Sequence, residues 1–93
     1  MGPMLAMTGT LRIDASTFDR RLRRYRSIPL SASQRVVLIP PIGSFLIDWD
    51  LSAIRLHVRA GSQWEANEVI EQLNEELKRR LAGLPCLEWE QSA

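Results

Sequence analysis

The chain has 93 residues, of which 45% are apolar and 25% are charged, and its formal net charge is +1. This composition is typical of globular proteins and excludes disordered and fibrous classes, and the length predicts a single domain, 1–93, with a compact core. The chain contains one cysteine, Cys86, and one histidine, His57. These counts argue against a disulfide framework, a Cys-rich zinc site and multi-histidine metal sites, so we predict no metal and no cofactor.

The apolar runs of the chain are short. Val36–Ile39 is such a run, and it is far shorter than the roughly 20 residues that cross a bilayer. The segment Met1–Met7 has neither the basic region nor the apolar stretch of a signal peptide. These features predict a cytoplasmic protein with no membrane partner. Within the single domain we expect residues 1–8 to be flexible or not native and residues 9–90 to form the folded core.

Charge is distributed unevenly along the chain. Residues 1–60 contain nine Arg and four Asp, whereas residues 61–93 contain three basic residues and seven Glu. Such asymmetry is typical of a nucleic-acid-binding arm, but it also arises when a basic and an acidic helix lie side by side and neutralise each other.

The first predicted elements are a strand and a helix. Residues 8–14 alternate between apolar and polar side chains, which predicts a half-buried strand. Ser16 with Asp19 has the form of a capping box, so a first helix is expected to begin there. Its apolar stripe comprises Phe18, Leu22 and Tyr25. Pro29 is expected to end the helix near Ser27.

Three strands are predicted between Gln34 and Ala60, joined by loops at 40–43 and 50–53. If the first loop closes Ile39 against Ser44, Arg35 lies opposite Asp48. If the second closes Asp50 against Ala53, Arg55 also lies opposite Asp48. We therefore predict that Asp48 pairs with both arginines. The predicted core face comprises Val36, Leu38, Phe45, Ile47, Trp49, Ile54, Leu56 and Val58. The second face comprises Arg35, Val37, Ile39, Leu46, Asp48, Arg55, His57 and Arg59.

A second helix is predicted from a capping box at Ser62 and Glu65. Its apolar stripe comprises Val69, Ile70, Leu73, Leu77, Leu81 and Leu84. Gly83 is expected to end it, and a short strand is expected within Cys86–Glu90. The order β-α-β-β-β-α, with an optional last strand, predicts an α+β two-layer sandwich in which two helices pack on one face of an antiparallel-dominated sheet.

The first predicted helix carries five arginines in seven residues, at 20–26. Guanidinium groups suit phosphates, which makes Arg20, Arg23 and Arg24 candidate nucleic-acid contacts. The alternative is that this face is solvated or lies beside the acidic second helix. The sheet offers no aromatic platform for base stacking, which counts against RNA.

A small polar constellation consists of Asp48, Asp50 and His57. Acid–base catalysis would need these groups in a cleft around a shared substrate. A cross-strand ladder explains Asp48 and a turn explains Asp50, so we predict that the chain is not an enzyme.

The second sheet face mixes apolar and charged residues, as interfaces do, unless residues 84–89 cover it. Trp64 is predicted to lie away from the apolar stripe, either as an interface anchor or folded over the strand-to-helix corner. The predicted interface comprises Arg35, Val37, Ile39, Leu46, Arg55, His57, Arg59 and Trp64. The sequence thus predicts a non-enzymatic protein-interaction module, an adaptor or regulatory subunit that forms a homodimer or docks on a larger partner. The alternative is an RNA- or ribosome-binding domain that uses the Arg-rich helix.

Overall fold

A computed structural model describes residues 5–13, 20, 25–80 and 87–92 of the chain. Six strands and one helix occur within them: β1 (Leu5–Leu11), β2 (Ser27–Ser31), β3 (Gln34–Ile39), β4 (Gly43–Trp49), β5 (Ile54–Ala60), α1 (Gln63–Arg80) and β6 (Glu88–Ser92). The strands form one antiparallel sheet in the order β2-β3-β4-β5-β1-β6. The fold is α+β, as predicted, but its sheet has more strands than the sequence indicated.

The helix joins two strands that are separated by a third. β1 pairs antiparallel with β5 on one side and with β6 on the other, so β5 and β6 run parallel. The connection from β5 through α1 to β6 therefore crosses over β1, and α1 packs against β5 and β1. This arrangement gives the sheet a face that α1 covers and an opposite face on which no helix lies within the described part of the chain.

The covered face supplies most of the hydrophobic core. Alternate residues of the strands point to the same face, and those on this side are almost fully buried. The covered face comprises Leu11, Val37, Ile39, Phe45, Ile47, Ile54, Leu56 and Val58, and Leu73 and Leu77 of α1 pack on it. The open face comprises Thr8, Thr10, Ile28, Val36, Leu38, Leu46, Asp48, Arg55, His57, Arg59, Glu88 and Glu90, none of which is fully buried.

The helix begins where the capping box predicts. The Ser62 hydroxyl accepts a hydrogen bond from the Glu65 backbone N–H at 3.1 Å, and the Glu65 carboxylate accepts one from the Gly61 N–H, also at 3.1 Å. The first bond satisfies a backbone donor that the first turn leaves unpaired, and the second joins the first turn to the residue that precedes Ser62. The end predicted at Gly83, with Leu81 and Leu84, lies outside the described residues. No helix in the described ranges is long and apolar enough to span a membrane.

The segment before β3 differs from its prediction. Arg20 is helical, whereas 14–19 and 21–24 lie outside the described residues, and with them most of the first predicted helix. The chain is already extended at Ser27, and Pro29 lies inside β2. The expectation that the helix reaches Ser27 is therefore wrong. Similarly, β1 begins at Leu5 and ends at Leu11, so the strand predicted at 8–14 was placed three residues late.

Of the two predicted hairpins, only the second has the predicted register. Asp48 pairs with Arg55 and Trp49 pairs with Ile54, as expected. In the first hairpin Ile39 pairs with Gly43 rather than Ser44, because the loop contains three residues, Pro40, Pro41 and Ile42, and not four. The Pro40–Pro41 peptide is cis, and the Ile42 N–H bonds to the Ile39 carbonyl at 2.8 Å.

The shift by one residue reverses both faces of β3, because side chains alternate along a strand. Val37 and Ile39 are 1% and 0% exposed in the core, although they were expected on the second face. Val36 and Leu38 were expected in the core, and they lie on the open face instead.

Candidate functional site

The open face is organised in rows that cross the sheet from β2 to β6. The register defines a middle row of Ile28, Val36, Leu46, His57, Thr8 and Glu90. The row beside it contains Ser31, Gln34, Asp48, Arg55, Thr10 and Glu88. The middle row is apolar on β2, β3 and β4 and polar on β5, β1 and β6, whereas the second row is polar throughout.

The apolar part of this face, the apolar patch, consists of Ile28, Val36, Leu38 and Leu46. Ile28 is 66% exposed and Leu38 is 40% exposed, while Val36 and Leu46 are half-buried. Val36 lies directly between Ile28 and Leu46, and Leu38 is two residues along the same strand. Four branched aliphatic side chains therefore lie together on the sheet surface.

A hydrogen-bonded network borders the patch and centres on Asp48. The Arg55 Nε donates to one Asp48 carboxylate oxygen at 2.7 Å, and the His57 Nε2 contacts the other. An ionised carboxylate can only accept, so Nε2 carries a proton, and in neutral His57 the Nδ1 atom is then an acceptor. The Thr8 hydroxyl lies 3.3 Å from that Nδ1. The network thus fixes His57 between a hydroxyl and a carboxylate.

Asp50 extends the network into the β4–β5 turn. Its Oδ1 accepts hydrogen bonds from the backbone N–H groups of Ser52 and Ala53 at 2.8 and 3.0 Å, and its Oδ2 accepts from Arg55 at 3.0 Å. The Ser52 amide and the Arg55 guanidinium hold the pKa of Asp50 well below its usual range. Asp50 and Asp48 in turn raise the pKa of Arg55. Arg55 is therefore a fixed cation that bridges two anions.

The order hydroxyl, imidazole, carboxylate in Thr8, His57 and Asp48 resembles the arrangement that activates nucleophiles. However, Asp48 is shared with Arg55, and the side chains of Asp48 and His57 are half-buried on the face of the sheet. Among the described residues no group of three or more His, Cys, Asp or Glu side chains could hold a metal ion. The network holds these side chains in fixed positions on the open face.

The structure divides the predicted interface residues among three places. Leu46, Arg55, His57 and Arg59 lie on the open face. Arg35, Val37 and Ile39 lie on the opposite side because of the register shift, so their expected placement on the second face is wrong. Trp64 is 73% exposed, but it belongs to α1 and not to the open face.

The predicted pairing of Asp48 is correct for one arginine only. Arg55 binds it, as the second hairpin predicts. Gln34 lies opposite Asp48 in β3, whereas Arg35 lies opposite Ile47. The Arg35 guanidinium carbon is 5.9 Å from the ring centroid of Trp49, within reach of a cation–π contact.

The patch residues Ile28, Val36 and Leu38 were missed by reasoning from the sequence. Val36 and Leu38 belong to a run of four apolar residues, in which alternation does not reveal the face. Ile28 follows the predicted end of the first helix near Ser27, and no strand was predicted to contain it. The sequence Ser27-Ile28-Pro29-Leu30-Ser31 does alternate between small or polar and apolar positions around a proline, which is a signal for an edge strand.

The C-terminal strand was expected either to cover the second face or to leave it free. Trp89 lies opposite Gly9, packs against the core and donates a hydrogen bond from Nε1 to Asn74 of α1 at 3.0 Å. Leu87 also packs against the core. These two side chains therefore lie on the covered side of the sheet and leave the apolar patch uncovered.

The candidate nucleic-acid contacts are only partly described. Arg20 is helical and exposed, whereas Arg23 and Arg24 lie outside the described residues. The Tyr25 hydroxyl donates to Glu76 of α1 at 2.8 Å. This bond brings the chain that directly follows the arginines to the flank of the acidic helix.

Both edges of the sheet carry features that oppose strand addition. The Leu38 N–H bonds to the Arg26 carbonyl, so by alternation the backbone polar groups of Ser27 and Pro29 point to the free edge. Pro29 has no N–H to offer there, and the register shifts after it in a bulge. The opposite edge, β6, carries exposed Glu88 and Glu90. Proline, bulges and charges are the usual protections of edge strands.

Comparisons of the chain with protein-family models, with curated proteins and with solved structures find no match.

Proposed function

We propose that this chain is a protein-interaction module whose open face packs on a second copy of the same chain to form a homodimer. The observation that carries the proposal is the apolar patch, which leaves Ile28 and Leu38 exposed at the surface. Contiguous apolar surface with a polar border is typical of protein interfaces.

Burial of the patch provides the driving force. Complete burial of one Leu, Ile or Val side chain is worth about 1.5–3 kcal/mol. The patch residues are already partly covered, so each contributes only a fraction of this free energy. In a two-fold symmetric interface, however, both copies contribute the same four residues. Eight such side chains provide a dry centre for a modest interface.

The sheet favours contact through its face over contact through its edges. Strand addition at β2 meets Pro29 and the bulge after it, and strand addition at β6 brings the exposed Glu88 and Glu90 of two copies together. On the open face, β5 and β1 separate the apolar patch from Glu88 and Glu90. The Asp48–Arg55–Asp50 network lies beside the patch, and its charges already have partners.

Charge supports a second copy as the occupant. The open face carries both signs of charge, since Arg59 lies on β5 and Glu88 and Glu90 lie on the edge strand β6. A strongly charged partner would match only one of these signs. A second copy presents both, and the whole chain has a formal net charge of only +1.

The test compares the mass in solution of the wild type with two aspartate variants, by light scattering and sedimentation. We expect the wild type to form a dimer whose stability changes little with salt, because its centre is apolar. Leu38→Asp should give a folded monomer. The matched control is Leu51→Asp, since Leu51 is fully exposed at the β4–β5 turn, outside the patch, and this variant should remain dimeric.

Two outcomes would contradict the proposal: a wild type that remains monomeric at millimolar concentration, or a dimer that Leu38→Asp leaves intact. RNA binding would give a different pattern. Tight binding that weakens steeply with salt and is lost in the Arg20→Ala, Arg23→Ala, Arg24→Ala triple variant would favour a nucleic-acid-binding module instead.

A further inference from the structure

The outer face of α1 carries a second surface, which we call the Trp64 stripe: Trp64, Glu68, Glu71 and Glu75. At 3.6 residues per turn these four positions fall within an arc of about 60°. The stripe lies opposite Ala66 and Leu73, which are both 0% exposed and face the sheet. All four stripe residues are exposed, and Trp64 is 73% exposed. The stripe therefore points directly into solvent, on the other side of the molecule from the apolar patch.

An indole at this position has no role in the described fold. Trp49 and Trp89 pack against the core cluster, whereas Trp64 is not among the side chains that do so. Within the described ranges, Glu68, Glu71 and Glu75 form no salt bridge, while Glu76 on the flank of the helix pairs with Arg79 at 3.2 Å. The stripe thus combines an unpacked aromatic ring with carboxylates that are available to a partner. Trp is one of the residues most enriched among energetically important interface contacts.

We propose that the Trp64 stripe binds an arginine-rich segment of a partner protein. One guanidinium stacks on the indole of Trp64, and the next ones pair with Glu68 and Glu71. Arginine fits better than lysine because its planar guanidinium both stacks on aromatic rings and donates two parallel hydrogen bonds to a carboxylate.

The spacing of the stripe sets the pattern of arginines in the partner. Neighbours three or four residues apart on a helix are about 5–6 Å apart at Cβ. An extended segment advances about 6.6 Å over two residues, so arginine at every second position meets successive groups of the stripe. Because the stripe and the apolar patch lie on opposite sides, binding here does not require the dimer and does not compete with it.

The probe is a synthetic octapeptide with alternating Arg and Ser, compared with its Lys counterpart, and binding to the full chain is measured by calorimetry in low and in high salt. We expect the Arg peptide to bind more tightly than the Lys peptide. Trp64→Ala should weaken binding of the Arg peptide about two- to fivefold, which corresponds to an exposed cation–π contact of about 0.5–1 kcal/mol. The same change should weaken the Lys peptide less.

The double variant Glu68→Gln, Glu71→Gln should weaken binding further and reduce its dependence on salt. Its matched control is Glu88→Gln, Glu90→Gln, which removes the same charge from β6. Circular dichroism should show that all variants remain folded, since the altered side chains are exposed.

Three results would overturn the inference: no binding of the Arg peptide, an equal loss in the two double variants, or equal affinities for the Arg and Lys peptides that Trp64→Ala leaves unchanged. The oligomeric state of the wild type does not enter this measurement, so the inference and the proposed dimer fail or survive separately.

Discussion

The two faces of the sheet are formed by the same strands but differ in what they bury. On the covered face, neighbouring positions are apolar and closed to water, with Ile39 at 0% and Ile47 at 1% exposure. On the open face, an apolar patch lies on β2, β3 and β4, and an ion-paired network centred on Asp48 and Arg55 lies beside it. The covered face supplies most of the hydrophobic core, whereas the patch leaves Ile28 and Leu38 exposed.

The largest effect on stability is expected for an aspartate at one of two adjacent positions of β3, whose side chains point to opposite faces of the sheet. Val37→Asp puts a carboxylate in the core and should cost more than about 4 kcal/mol, which unfolds a small domain. Val36→Asp puts the same group on the open face, where water reaches it, and should leave the chain folded but monomeric. Thermal denaturation followed by circular dichroism separates the two. Equal destabilisation would contradict the assignment of faces in β3.

The sequence predicts the second hairpin better than the first, for a physical reason. In β4 and β5, polar residues such as Asp48 and Arg55 interrupt the apolar ones, so only one register places all charges on one side. Asp50 also fixes the turn through its own carboxylate. β3 carries four apolar residues in succession, so both registers bury a plausible set, and the loop length alone decides between them.

The same reason explains how much of the candidate site could be predicted. Leu46, Arg55, His57 and Arg59 lie on the expected face because they belong to the second hairpin. The apolar patch could not be predicted, because it depends on the register of β3. The patch also depends on β2. The sequence predicts a helix directly before β2, and β2 itself contains Pro29, so no strand was predicted there.

A smaller effect is expected where β1 and β6 meet on the covered side. A Cβ atom at Gly9 would lie 2.9 Å from the Trp89 ring, well inside van der Waals contact. Gly9→Ala should therefore force the indole to move and cost about 1–3 kcal/mol, as overpacking does. Denaturant unfolding measures this cost. In Gly9→Ala, Trp89→Leu, where the ring is absent, the penalty for alanine should largely disappear, and a strictly additive double variant would contradict the contact.

The smallest effect concerns Asp50, whose pKa is lower in the folded chain than its unfolded value of about 3.9. A carboxyl group with a lowered pKa contributes its full stabilisation above the unfolded value, and this contribution declines as the pH falls from the unfolded toward the folded pKa. Asp50→Asn keeps the acceptor for the turn but removes the charge that Arg55 binds. The variant should melt slightly below the wild type at neutral pH, and the difference should shrink progressively as the pH falls below about 3.9. A difference that persists in acid would show that the charge is not its source.

The position of β1 has a consequence for how the chain is made. β1 is the first strand in chain order, yet its neighbours are the two that come last, β5 and β6. A chain emerging from the ribosome can form the β2–β3–β4 meander early, because those pairings are local, but β1 must wait for β5. Strand pairings between residues far apart in the sequence form more slowly than local hairpins. During that interval Leu5, Met7 and Leu11 have no neighbouring strand to pair with, so β1 joins the sheet only after β5 has been made.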